Sequence, residues 1–145
     1  MRLPSLICLV LLAASTGTGS LEAQSYLMGP SLGFTPDNSG TAIRPIIGVP
    51  GASLLADRLQ LETKIRGALI APKQDYAIAA RTEDAQIVVI DLRTGSPTVQ
   101  PPAGSHSGVD LMAISPAGRS AAAYAHESNT IQVIGNLPAA PELVR

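Results

Sequence analysis

The apolar residues of this chain fall into short runs, broken by polar, Gly- and Pro-rich steps, and the runs have the length and spacing of β-strands. The clearest alternation lies over residues 58–66, where Leu59, Leu61, Thr63 and Ile65 alternate with Arg58, Gln60, Glu62, Lys64 and Arg66. Period two belongs to a strand with one buried and one wet face. A helix would set Leu59 and Leu61 about 200° apart and bury them poorly. Gly67 interrupts the run and marks a bulge. Further strands are expected over residues 68–71, 76–81, 86–92, 98–100, 111–115, 120–125 and 130–134, with polar turns between them. Ile87, Val88, Val89 and Ile90 are apolar on both faces, as suits a strand held between two layers. Upstream, residues 26–34 and 41–49 read as a hairpin closed by Pro36-Asp37-Asn38-Ser39-Gly40. Pro30 and Pro45 lie inside these runs; lacking an N–H, each is expected at an edge or a bulge. Gly48-Val49-Pro50-Gly51 breaks the chain, and residues 52–57 read as a helical turn or a loop.

The pattern also recurs. A shift of 44 positions lays Ile70, Pro72, Ala77, Ala79, Glu83, Ile87, Val89 and Ile90 on Ile114, Pro116, Ala121, Ala123, Glu127, Ile131, Val133 and Ile134. That is eight identities over the 23 ungapped positions 68–90. A fixed period of about 20–50 residues is the mark of a repeat architecture.

The repeated unit resembles one blade of a β-propeller, in particular the YVTN-type and WD-like repeats of exported bacterial proteins. In those, an Ala-Pro or Ser-Pro step ends a strand, and a polar turn and an alanine-rich strand follow. A phrase like Ile-x-Val-Ile-Asp-Leu-x-Thr-Gly comes next. Here Ala71-Pro72 and Ser115-Pro116 match the first element, and residues 87–95, IVVIDLRTG, match the last. The second copy departs, with Gly135-Asn136-Leu137 where Asp91-Leu92-Arg93 stand. The resemblance implies an all-β fold, a partial β-propeller of antiparallel blades of about 44 residues. Residues 26–51 would be a half blade, 59–102 a blade and 108–145 an incomplete blade whose fourth strand is missing. Two and a half blades leave apolar faces and edges open. A piece of a longer protein, a ring-completing oligomer, or a small β-sandwich-like domain in which the repeat is incidental would each account for that. A shared fold does not carry a function with it.

Composition places the chain outside the cell. Arg2 precedes a short apolar run over residues 6–14, about half of the roughly 20 residues a spanning helix needs; small and polar residues follow. This pattern makes residues 1–23 a secretory signal peptide, cleaved after Ala23 or near Gly19, with an uncleaved anchor as the alternative. The exported remainder, residues 24–145, has no integral membrane span and is secreted or periplasmic. Cys8 lies within the leader, without the small residue that precedes a lipidated cysteine, so the mature chain has no cysteine and holds itself by packing and strand pairing. The formal charge of −1 balances 10 Lys and Arg against 11 Asp and Glu, with no basic stripe for nucleic acid. Aromatics make up 3 % of the chain and Trp is absent, so the core must use small aliphatic side chains.

No residue set selects a chemistry. His106 and His126 are the only histidines, and neither has a second ligand at metal spacing. Asp37-Asn38-Ser39-Gly40 lacks the alternating ligands and distant Glu of a calcium loop, and reads as a turn. Ser105, His106 and Asp110 are close in sequence, whereas a triad needs geometry rather than adjacency. Glu83 and Asp84 share a hairpin turn, where neighbouring side chains point apart. Asp91 and Arg93 flank the end of the strongest strand and pair with each other or with a neighbouring blade. No Gly-rich phosphate loop is present. No catalytic, cofactor-binding or metal residue is therefore assigned, and no cofactor is expected. The Pro-rich stretch 95–108 is the best candidate for an interaction surface. The resulting expectation is a non-catalytic binding or scaffold module whose partner is a second copy of itself or another protein. The alternative is a fragment of a larger secreted propeller enzyme, a lyase or hydrolase with its active site elsewhere.

Overall fold

Pro50-Gly51 turns the chain back on itself. Proline presets φ at the first corner, and Gly51 takes φ 90 at the second, the combination a type II turn requires. In the computed structural model, which describes residues 30–144, this turn joins β2 (Ile43–Val49) to β3 (Ala52–Leu55), with Val49 opposite Ala52. β1 (Ser31–Pro36) pairs with β2, and the first sheet runs β1-β2-β3. Residues 52–57 therefore contain a strand, not the helical turn or loop expected of them. All four β3 residues are exposed, so no apolar–polar alternation announced it. Residues 1–23, the cleavage site, and residues 26–29 of the expected first strand lie outside the described residues.

Pro30 sits just before β1, an edge strand, as a proline should. Pro45 instead lies in β2, the central strand, and the local bonding explains how. The β2–β3 ladder ends there: the Ala56 N–H donates to the Pro45 carbonyl at 2.9 Å, but proline has no N–H to return to the Ala56 carbonyl. Arg44 Nε donates to that oxygen at 2.8 Å in its place.

The connection to the middle sheet departs from its expected form. Only from Ile65 does the alternating run 58–66 enter a strand; residues 58–64 form an irregular connector with no ladder partner. Yet burial alternates as the pattern requires, with Leu59, Leu61 and Thr63 partly covered and Gln60, Glu62 and Lys64 exposed. The alternation recorded a covered and a wet side, which a connector lying across packed sheets has as much as a strand does. Two bonds hold its ends, Leu59 N–H to Ile43 O and Thr82 N–H to Lys64 O, both 2.9 Å.

The middle sheet is β4 (Ile65–Ile70), β5 (Tyr76–Arg81), β6 (Ile87–Asp91) and β7 (Thr98–Gln100), paired in chain order. Its register shifts between Arg66 and Leu69, around Gly67 at φ 62, the bulge expected there. The last sheet is β8 (Leu111–Ile114), β9 (Ala121–Ala125), β10 (Thr130–Gly135) and β11 (Glu142–Leu143), again in chain order. β11 corrects the expectation of a missing fourth strand: Ile134 pairs with Leu143 and Gly135 with Glu142. Two residues are too few to show a period. All three sheets are antiparallel and open, and no helix occurs among the described residues.

The three first strands neighbour one another, β1 beside β4 and β4 beside β8. The middle sheet is buried on both faces. Ile78, Ile87 and Val89 pack with Ala121, Ala123 and Ile134 of the last sheet. The alternate residues Ala77, Ala79, Val88 and Ile90 pack with Ile43 of the first. Alanines at these contacts let the backbones come close. Tyr76, the bulkiest fully buried side chain, donates its hydroxyl to Gly118 O at 3.2 Å, so its polar tip is satisfied.

Because Ile78 is fully buried in the contact between the middle and last sheets, Ile78→Ala should cost about 2–5 kcal/mol in urea denaturation. A loss below about 1 kcal/mol would mean that this contact is not a packed core.

Candidate functional site

The last sheet has one face without a cover. Pairing sets Leu111 opposite Tyr124 and Tyr124 opposite Ile131, and likewise Ala113 opposite Ala122 and Ala122 opposite Val133. Residues two apart on a strand share a face, so both rows lie on one side, opposite the buried Ala121, Ala123 and Ile134. Leu111 is 67 % exposed, Ile131 66 % and Val133 39 %. Val144 continues the apolar edge and donates its N–H to Val133 O at 2.7 Å. At the rim, Tyr124 donates its hydroxyl to Asn129 Oδ1 at 3.0 Å, and its ring meets that of His126 edge-on, with centroids 6.3 Å apart. Such a surface offers contact area rather than chemistry, about 25 cal/mol for each Å² removed from water.

Much of the Pro-rich stretch 95–108 is tied down. The Gln86 amide donates to Ser105 O at 3.2 Å and to Ser105 Oγ at 3.3 Å. Gln132, buried in the last sheet, exchanges two bonds with the His106 backbone: Nε2 donates to its O at 3.1 Å, and Oε1 accepts from its N–H at 2.7 Å. The amides of Gly108 and Val109 donate to Asp84 O and Ala85 O. Ala103 lies beside Glu142, covering the β11 edge. Residues 103–109 thus brace the middle sheet against the last. Gly95, Ser96 and Pro97 border a cleft of ≈ 460 Å³ shared with Pro45, Asp57, Arg58, Leu59 and Glu62, and Val99 and Pro101 border one of ≈ 290 Å³ shared with Glu62 and Arg81.

The polar residues singled out from the sequence are not brought together. Ser105 bonds to Gln86 and His106 to Gln132, while Asp110 accepts the His126 N–H at 2.8 Å. Asp37 caps its own turn, accepting from Thr41 N–H at 2.8 Å and Ala42 N–H at 3.2 Å, with Arg58 at 3.5 Å. Desolvation pushes its carboxyl up, but those amides together with the Ser39 and Thr41 hydroxyls prevail and hold it below the usual value. Asp91 and Arg93 pair with each other through both carboxylate oxygens. Asp84 pairs with Arg81 at 2.5 Å and accepts the Gln86 N–H at 3.1 Å, while Glu83 stays exposed beside it. Among the described residues, no three His, Cys, Asp or Glu side chains gather as a metal site would require.

Sequence reasoning expected open apolar faces without placing this one, and it missed the two glutamines. The repeat locates it once burial is known: Ile131 and Val133 stand 44 residues after the buried Ile87 and Val89, and no described sheet follows to cover them. Gln132 carried a weaker signal, a lone amide at a position where the first copy has Val88.

The Arg81 ion pair, followed by the Gln86 amide, lowers the Asp84 carboxyl to about 2. A depressed folded pKa stabilises above the unfolded value of about 4 and fades as pH falls through the folded one. Wild type and Asp84→Asn should therefore differ in denaturant midpoint near about pH 6 and converge near about pH 2; a difference constant across that range would assign the effect to packing. Gln132→Leu removes both side-chain partners of the part-buried His106 backbone N–H and carbonyl. It should cost about 1–3 kcal/mol and speed hydrogen exchange at the His106 amide, and unchanged exchange would show that the clamp carries no load.

Comparison with known proteins adds no relative: no family model matches the chain, and no curated protein or solved structure matches it.

Proposed function

We propose that this chain is an exported module of β-propeller-type blades that works through contact surfaces and performs no catalysis. The sheets support the blade reading. β4 to β7 and β8 to β11 are four-stranded, paired in chain order, and their strands start within two residues of a 44-residue offset. Blades of a propeller run to about 40–45 residues with four strands each. The close approach of β4 and β8 supports it too, since the first strands of radially arranged blades converge.

The observation that carries the binding reading is the apolar face of Leu111, Ile131 and Val133. In the middle sheet the equivalent positions Ile87 and Val89 are 0 % and 1 % exposed beneath the next sheet. The same positions in the last sheet are open to a partner. Three of the carboxylates singled out from the sequence, Asp37, Asp84 and Asp91, are already engaged in turn bonds and local ion pairs. The export reading rests on Arg2 and the apolar run 6–14.

Stability of a stack of repeats is a sum of units and nearest-neighbour contacts, which gives a direct test. A chain extended after Val144 by a second copy of residues 101–144 should melt higher. It should also shield an Ile131→Cys reporter from maleimide at every protein concentration. An extension that lowers the melt or leaves the thiol open would overturn the blade reading. Sequencing of the N-terminus of protein collected outside the cytoplasm should give Gln24 or a residue near Gly19; recovery of an intact Met1 would overturn the cleaved leader.

A further inference from the structure

Each sheet ends in an outer strand, and two of the three outer edges are blunted. β7 is closed in by Pro97 before it and Pro101-Pro102 after it, residues that cannot donate to a ladder. β11 is covered by the backbone at Ala103, whose N–H donates to Pro141 O at 3.0 Å and whose carbonyl accepts the Leu143 N–H at 2.9 Å. β3 has no such protection. It ends the first sheet, and no described segment pairs with its free side. Residues 45–56 include no charged side chain, so this edge also lacks the lysines that keep other edges apart.

The ladder fixes which groups of β3 point outward. The Ala56 N–H bonds to Pro45 O, while Gly48 turns its N–H the other way, to Pro30 O at 3.0 Å. Bonded and non-bonded pairs alternate along an antiparallel ladder. Ala52 and Leu54 therefore bond to their partners Val49 and Ile47, and Ser53 and Leu55 turn their N–H and C=O groups to solvent. Leu54, between them, is 73 % exposed, the most of any large apolar side chain among the described residues. On its own face it sits beside Ile47.

We propose that a second copy of this chain adds its own β3 to this edge, antiparallel, with Ser53 opposite Leu55 of the other copy and Leu54 opposite Leu54. The edge is complementary to itself in that register. The Ser53–Leu55 pairs become the hydrogen-bonded ones, so each outward N–H and C=O of one strand meets its complement on the other. The twofold axis passes between the two Leu54 side chains, at a non-bonded pair, where Cα atoms come within about 4.5 Å and side chains touch. The two leucines then join Ile47 of each copy in one apolar row across both sheets. Asp57, the first charge after the strand, falls opposite Gly51 rather than another carboxylate. A shift by one residue either way would set Leu55 against the Gly51 turn, or Ser53 against Asp57 beyond the strand end. A contact about a twofold axis closes on itself, so assembly stops at two. It uses neither the blade reading nor the face of Leu111 and Ile131.

One short strand makes an interface at the small end of the known range, under about 1,200 Å², so the dimer should come apart on dilution. Sedimentation of the purified full chain should show its mass rising with concentration from one chain toward two, and no further. In the same wild-type protein, amide exchange at Ser53 and Leu55 should slow by about tenfold between dilute and concentrated samples, as mass action requires, with exchange at Ile131 unchanged. Leu54→Lys and Leu54→Glu should each hold the mass at one chain. An equimolar mixture of the two should regain the dimer, since opposite charges then face each other across the axis. A wild-type monomer at every concentration overturns the proposal. So does growth beyond two chains, exchange at Ser53 and Leu55 that ignores concentration, or a mixture that stays monomeric. A Leu54→Lys dimer overturns it too, and a monomeric Ile131→Lys beside it would move the contact to the open face of the last sheet. Should a variant fail to fold, the wild-type exchange decides alone.

Discussion

A sheet with two apolar faces is soluble only when both are covered, and the rest of this structure follows from how that requirement is met. β5 and β6 carry apolar side chains on both sides, so the middle sheet needs a neighbour on each. Ile78, Ile87 and Val89 fill one contact, and Ala77, Ala79, Val88 and Ile90 fill the other. The residues are small because the layers must interlock at native density without large rings. Tyr76 is the one bulky exception, and it is admitted because its hydroxyl reaches the Gly118 carbonyl. At the outer sheets the same requirement is met on one face only.

Three acidic residues, Asp37, Asp84 and Asp91, serve the turns of the scaffold. Each short strand ends in a tight reversal, and a reversal leaves backbone amides that its own ladder does not use. Asp37, Asp84 and Asp91 accept such amides from Thr41, Gln86 and Arg93. The pairs with Arg58, Arg81 and Arg93 are local and solvent-facing, and contacts of that kind add little, about 0–1 kcal/mol. What they do is hold turn geometry. A carboxylate fixed in that way is already hydrogen-bonded and paired, a poor starting point for proton transfer.

How far the sequence could be read depended on whether a feature had a period. β5 and β7 coincide with the expected 76–81 and 98–100 because Pro72, Asp75 and Pro101 punctuate them, and Ile87 to Ile90 announced their two-sided burial through β-branched side chains on both faces. β3 and β11 escaped, one wholly exposed and the other two residues long, and neither length nor exposure leaves a pattern. The run 58–66 misled in an instructive way. Its alternation of covered and wet residues was real, but hydrophobic pattern reports which side of a segment is covered, and only a partner strand makes it part of a ladder. The uncovered face could be read only by combining the repeat with burial, since Ile87 and Ile131 are the same residue in the same phrase and differ in what lies beyond them.

The two connectors between sheets show one mechanical problem solved with different forces. Residues 58–64 carry Leu59 and Leu61, which settle onto the core between the first and middle sheets. Residues 103–108, Ala-Gly-Ser-His-Ser-Gly, have no large apolar side chain to spend. Burial cannot hold such a segment, and its amides and carbonyls would need partners wherever the sheets exclude water. Gln86 and Gln132 supply them, one from each sheet. A long amide side chain suits this task because it donates and accepts at once, as a strand edge does. The replacement of Val88 by Gln132 is therefore the point at which the second copy stops imitating the first. A position that is purely apolar in one copy becomes a hydrogen-bonded anchor in the other, because the connector it faces has lost its own hydrophobic hold.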